Sequence, residues 1–178
     1  MQLLMRFPTH AARPAPAGSV DVRLARPDDA DALGALMAAA FPEMEWSAER
    51  VRKDLLDAAD VVATYVVEGA GGLIGTASAR YWIEKFPDEG YVHWVAIDPA
   101  RRGQGLLQAL MARVMQKFAD DGKASVVLET DDIRLPAITA YLGEGFVPVY
   151  RDEGGHEQRW SAVFSNLAAY RRNKKERQ

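Results

Sequence analysis

No cysteine occurs anywhere in the 178 residues, which removes disulfides, thiolate metal ligands and a cysteine nucleophile together. Histidine is nearly as scarce. His10, His93 and His156 are scattered without metal-ligand spacing, so no metal site is expected. No apolar run is long enough to span a bilayer, and the opening residues 1–7 lack the long apolar stretch of a secretory signal. A cytoplasmic protein without a membrane partner is therefore expected. Positive charge is not in excess either: the formal net charge of −3 argues against nucleic acid as a partner. The exception is the end of the chain, where Arg171, Arg172, Lys174, Lys175 and Arg177 crowd together. Such a run suits the C-terminus of a solvated helix, and nucleic-acid association through it is the competing reading. What remains, 48% apolar and 26% charged residues, describes one globular domain with a full core.

Residues 1–19 hold Pro8, Pro14 and Pro16 without periodicity and read as a flexible arm. Asp21 to Ala25 alternates as a strand does. Pro27-Asp28-Asp29 then opens a helix that places Leu33, Leu36, Met37 and Ala40 on one face. Pro42 closes it, and Ser47 caps a second helix with Val51 and Leu55 buried and Arg50, Lys53 and Asp54 solvated. The loop between them carries Trp46, which either staples the helices or walls an acceptor site. Residues 61–67 and 73–82 form a hairpin across a glycine-rich turn. A central strand over about 91–97 follows, then a helix with Leu107, Leu110, Met111, Val114 and Phe118 inward, ended by Gly122. Residues 124–129 form a buried strand whose strand–helix–strand step implies a parallel crossover. Pro136 starts a short helix stopped by Gly143 and Gly145, and a strand over 146–150 and a final helix through Trp160, Val163, Phe164, Leu167 and Tyr170 complete the chain.

The stretch from Val92 to Leu110 is the most informative. An apolar strand, a turn holding Gly103 and Gly105, and a helix start leave the first helical N–H groups aimed outward, where a phosphate can take them. A Walker loop would need Gly-Lys-Ser/Thr where Gly105 is followed by Leu106 and Leu107, and a dinucleotide fingerprint would need a third glycine where Gln108 stands. Arg102-x-x-Gly105-x-Leu107, preceded by Val-Ala-Ile-Asp-Pro, resembles the coenzyme A loop of the GCN5-related N-acetyltransferase (GNAT) superfamily, with Leu107 in place of a small residue. Residues 137–146, Ala-x-x-x-Tyr-x-x-x-Gly-Phe, resemble a second signature of that family.

The resemblance implies an α/β fold with a mixed central sheet, splayed parallel strands, flanking helices and a C-terminal helix in place of a final hairpin. It implies one domain over residues 20–170, with a basic tail at 171–178. Its activity would be transfer of acetyl from acetyl-CoA to a primary amine of a small molecule or peptide by direct attack; a homodimer is left open. The pantetheine would pair with backbone around Val95, Ala96 and Ile97. The pyrophosphate would sit on Arg102, Gly103, Gln104, Gly105, Leu106 and Leu107, and Pro136, Ala137 and Tyr141 would complete the donor site. A neutral amine is needed for attack, and an alkylamine with pKa ~10.4 must lose a proton first. Tyr91 stands where related enzymes carry an acid. Glu89 and His93 are the nearest substitutes, and strand alternation places Tyr91, His93 and Val95 on one face. A backbone N–H on the splayed strand would stabilise the oxyanion, and Tyr141 matches the position of the family's acid for the leaving thiolate. A non-catalytic acyl-CoA-sensing domain is the alternative.

Overall fold

The strand that carries the candidate site begins at a glycine, Gly90, with a ring packed against it. A Cβ at Gly90 would lie 2.5 Å from the ring of Phe118, and a contact that short would displace either the ring or the strand. The computed structural model describes residues 2–8, 20–151 and 153–175, with element ends as follows. The chain is α/β, with strands β1 (Leu3–Pro8), β2 (Val22–Leu24), β3 (Val61–Gly69), β4 (Gly72–Arg80), β5 (Gly90–Ile97), β6 (Ser125–Thr130) and β7 (Val147–Val149). Its helices are α1 (Ala30–Ala40), α2 (Ala48–Val51), α3 (Leu106–Asp120), α4 (Leu135–Glu144) and α5 (His156–Lys175). From β2 to β7 the order of elements is the one the sequence implies, and the C-terminal helix is present.

Two compact units are formed: Pro8–Val126, and Met1–Phe7 together with Val127–Gln178. In the first, β2, β3, β4 and β5 make an antiparallel meander. Neighbouring β3 residues point to opposite faces, as strand geometry requires. Val66 enters a cluster with Ala30, Leu33, Val51 and Leu55 of the α1–α2 layer, whereas the Tyr65 ring lies 5.9 Å from the Arg113 guanidinium on α3. Full burial of such aliphatic side chains stabilises by roughly 1.5–3 kcal/mol each before entropy is counted. The Ser47 hydroxyl accepts from the Arg50 amide at 3.2 Å, the N-cap its position implies. Beyond α2 the helix widens into a π-type turn, Arg52–Leu56, closed by Asp57 N–H donating to Arg52 O at 2.7 Å. On α3 it is Leu106, not Leu107, that joins Leu110, Val114 and Phe118 in the core. Leu107 is only half-buried, since Leu106, four residues before Leu110, lies on the same helix face as the core positions.

In the second unit the strands follow the order β6-β1-β7. Here the reading of residues 1–19 as an arm needs correction over its first part: Leu3–Pro8 is a strand. Leu3 and Met5 are fully buried, Leu4 and Phe7 nearly so. A strand covered on both faces has no polar–apolar alternation, so the pattern that marks a half-buried strand is missing. β1 pairs antiparallel with β7 through Leu4↔Val149, Met5↔Pro148 and Arg6↔Val147. The partner of the last strand thus comes from the start of the chain. Pro148, which has no N–H to give, is tolerated because β7 is at the sheet edge. Gly143 lies within α4 and does not stop it; Gly145, at φ +101°, does. Residues 9–19, with His10, and residues 176–178 of the basic tail lie outside the described residues. Among the described residues no helix is long and apolar enough to cross a membrane.

Candidate active site

After β5 the chain is pinned before it turns. Asp98 N–H donates to Ile74 O at 3.0 Å, and the Asp98 carboxylate accepts from the Ala100 amide at 2.9 Å, capping a single 3-10 turn over Pro99–Arg101. Gly103 and Gly105 then adopt φ values of +80° and +76°, which side chains rarely do. A Cβ at Gly103 would meet nothing within 4 Å, so backbone conformation and open approach, not crowding, account for glycine there. Gly105 is the N-cap of α3 and supplies no side-chain cap; its carbonyl accepts from Ala109 N–H at 3.2 Å. The amides of Leu106, Leu107 and Gln108 therefore precede the first intrahelical bond and point out of the helix end. Arg101, Arg102 and Gln104 are exposed beside them. Together with the positive end of the dipole of a 15-residue helix, this arrangement is able to accept anionic oxygens.

Along β5 the pairing with β4 slips. Arg80↔Tyr91 and Ser78↔His93 are followed by Thr76↔Ala96, so β5 spends one residue more than β4 between the last two pairs. That is a β-bulge at Trp94 and Val95, and Trp94 has φ +43°, the only non-glycine with positive φ among the described residues. The bulge corrects the expected alternation. Tyr91 and His93 do share a face, but the register carries that face on to Ala96 rather than Val95. No sequence signal marks it, since Trp fits an ordinary strand.

His93 looks toward the α1–α2 side of the unit. Burial, then the charge of Arg80, lower its pKa to about 4, against weaker raising effects from Asp60 and from the backbone and charge of Asp54. It is neutral at pH 7. Aromatic rings run on both sides of it: Tyr91 at 5.9 Å and Trp94 at 5.7 Å between centroids, with Trp94 meeting Trp46 edge-on at 4.8 Å and Phe41 at 5.5 Å. Tyr91 is stacked on Phe86 at 5.5 Å and meets Trp82 edge-on at 5.4 Å. Trp46 thus both staples the helices and borders this wall, and its indole N–H is buried without a partner among the described residues. Arg50 is not solvated as its helix position suggested. It lies 4.3 Å over Trp46 and donates to Asp54 at 3.2 Å and to Glu45 O at 2.6 Å. Glu89 sits before β5 and accepts from the Ser125 hydroxyl at 3.2 Å. Arg80, Asp60 and Phe86 belong to the surroundings of His93 and carried no motif to reveal them.

In the second unit Tyr141 lies on α4, buried, with its ring 6.1 Å from that of Phe146. Burial raises its pKa to about 12, only partly opposed by Arg134, so the phenol stays protonated. Pro136 and Ala137 occupy the first turn of the same helix.

The acetyltransferase (GNAT) family model matches residues 31–146. Among curated proteins, N-acetyltransferase 8B of Rattus norvegicus is 33% identical over 103 residues, covering 51% of this chain and 46% of that protein. The chain spans about half the length, or less, of the curated relatives it matches. Among solved structures, the ribosomal-protein-S18-alanine N-acetyltransferase of Escherichia coli aligns with TM-score 0.61 at 20% identity over 73% of this chain and 79% of that one. AAC(6')-Iy, in complex with a bisubstrate analog built on CoA, aligns with TM-score 0.61 at 17% identity over 75% and 98%. At these identities the structural likeness concerns the fold alone.

Proposed function

Because the chain belongs to the acetyltransferase (GNAT) family, we propose that it transfers acetyl from acetyl-CoA to a primary amine of a small molecule or peptide by direct attack. One observation carries this reading: an uncapped α3 N-terminus behind two left-handed glycines, directly following a strand that bulges at Trp94. Acetyl-CoA, when bound, supplies a thioester carbonyl and a thiolate leaving group. The amides of Gly103 to Leu107, with Arg102, hold the pyrophosphate. Backbone groups of Val95, Ala96 and Ile97 hold the pantetheine arm, and Pro136 and Ala137 complete the donor site. A backbone N–H at the bulge stabilises negative charge on the acyl oxygen.

His93, at about 4, is too weak to strip a proton from an alkylammonium at ~10.4; full transfer would be uphill by about 9 kcal/mol. Its role is narrower. The acceptor enters as the neutral amine, and the imidazole takes the proton that the nitrogen sheds as its bond to carbon forms and its acidity rises. Glu89, engaged with Ser125, is the second choice for this proton. Tyr141 protonates the thiolate.

A specific observation favours one alternative, a domain that senses acyl-CoA without turnover. Tyr91 stands where related enzymes carry an acid, and its ring is buried in the Phe86–Trp82 stack. Release of coenzyme A from acetyl-CoA across a panel of amines decides between the two. Amine-dependent release supports the enzyme, whereas saturable acetyl-CoA binding without release from any amine supports the sensor.

A further inference from the structure

Two arginines lie over tryptophans near His93, and they differ in what their guanidinium groups have left to give. Arg50 sits 4.3 Å over Trp46, with Nε on Asp54 and Nη1 on the Glu45 carbonyl. The protein itself thus uses one of its two terminal nitrogens. Arg80 sits 4.6 Å over Trp82 and donates through Nε to Asp60 at 2.7 Å. Among the described residues its two Nη groups have no acceptor. A guanidinium fixed in plane by an ion pair on one edge and an indole on its face, with both terminal nitrogens open, is prepared for a bidentate carboxylate. Its position fits that use. Arg80 ends β4, opposite Tyr91 in register, and shares a sheet face with Ser78 and hence with His93. Its charge contributes to the depressed pKa of His93, so it acts at close range on that ring. From Tyr91 to Val95 is about 13 Å along the strand, a span covered jointly by the arginine side chain and a small acceptor.

We infer that Arg80 is a carboxylate subsite for the acceptor, and that the acetylated amine is an amino acid or short peptide with a free carboxylate and an apolar side group. This rests on the acetyltransferase reading and deepens it. The rings of Trp82, Tyr91 and Trp94 supply the apolar wall for the side group. Lys85, with Nζ 4.5 Å from the Trp82 centroid, brings a second cation to the same end. Discrimination follows from desolvation. A carboxylate satisfies the two Nη groups as the acceptor covers them, whereas a plain alkylamine leaves them covered without a partner.

The test uses matched pairs: L-phenylalanine against phenethylamine, and glycyl-L-phenylalanine against its C-terminal amide. Each is assayed with acetyl-CoA by coenzyme A release in the wild type, Arg80→Gln and Arg80→Lys. The expected result is a wild-type preference for the acid of each pair of roughly tenfold to hundredfold in kcat/KM. Arg80→Gln abolishes the acid-over-neutral preference measured within that variant, and does so through KM of the acids. Arg80→Lys, which keeps the charge but not the fork, loses most of it; if the Gln variant does not fold, this variant decides alone. Equal use of acid and neutral partner by the wild type, or a preference undiminished in the variants, overturns the subsite and leaves the acetyltransferase reading standing. Absence of release with these and all other amines overturns that reading, and the subsite with it.

Discussion

His93 carries more consequence than any other single residue, and its environment reverses what its type suggests. An imidazole in water titrates near 6.5, which would give a rate limb in the neutral range. Here burial and Arg80 hold it at about 4. The unfolded chain therefore binds a proton that the folded chain refuses between about 6.5 and 4. The stability due to neutral His93 is fully present above pH ~6.5 and is lost as pH falls toward 4. Urea unfolding should show the wild type losing about 1–2 kcal/mol more than His93→Gln on going from pH 7 to pH 5; parallel losses would contradict the depressed pKa. In kinetics, the limb of kcat/KM above neutrality should follow the acceptor amine and survive in His93→Gln, with only its height reduced. Tyr141 is the other residue-scale test. Burial keeps its phenol protonated across the neutral range, so Tyr141→Phe removes a proton donor and keeps the ring against Phe146. With chemistry rate-limiting, kcat should fall by ~10²–10⁴-fold with acetyl-CoA still bound. Unchanged kcat would reduce the residue to packing.

At the scale of elements, β1 and β5 depart most from what their sequences announce. β1 belongs to the core of its unit: truncating Leu4, 2% exposed, to alanine should destabilise by about 2–4 kcal/mol in denaturant titration. A solvated arm would give nearly zero. β5 is regular up to His93 and then bulges, which sets Trp94 at positive φ and moves the face of His93 on to Ala96. Strand propensity and alternation describe a regular ladder, and an inserted residue in one strand is visible only against its partner's register. The α3 start is the opposite case. Two glycines at left-handed φ before an apolar helix are legible as a loop with open amides, and the structure has them so.

At the scale of the whole molecule, the proposal becomes a linkage statement. A ligand that binds only the folded chain stabilises it by mass action, about 2.7 kcal/mol at a hundred times Kd. For a chain of this size that raises the melting temperature by roughly 5–10 °C. Acetyl-CoA should therefore raise Tm, and Arg102→Glu, at an exposed position, should leave the unliganded Tm in place while cutting the shift at equal ligand concentration. An identical shift in that variant would remove Arg102 from the phosphate site.

The sequence alone determined the order of elements from β2 to β7, the terminal helix, the glycine turn that opens α3 and the family, because each is written in local terms: period, caps, glycines and short motifs. Tertiary structure alone decided four other things. Leu3–Pro8 became a strand through pairing with β7. The β5 bulge arose from register against β4. His93 became a weak base through burial and a neighbouring arginine. Among the described residues Arg80, not Arg50, kept both terminal nitrogens open, since the Glu45 carbonyl takes Nη1 of Arg50 whereas Asp60 touches only the Nε of Arg80. The physical reason is common to all four. Each depends on what lies across from a residue in space, on partner strands, covering side chains and nearby charges, and the neighbours of a residue along the chain do not specify those.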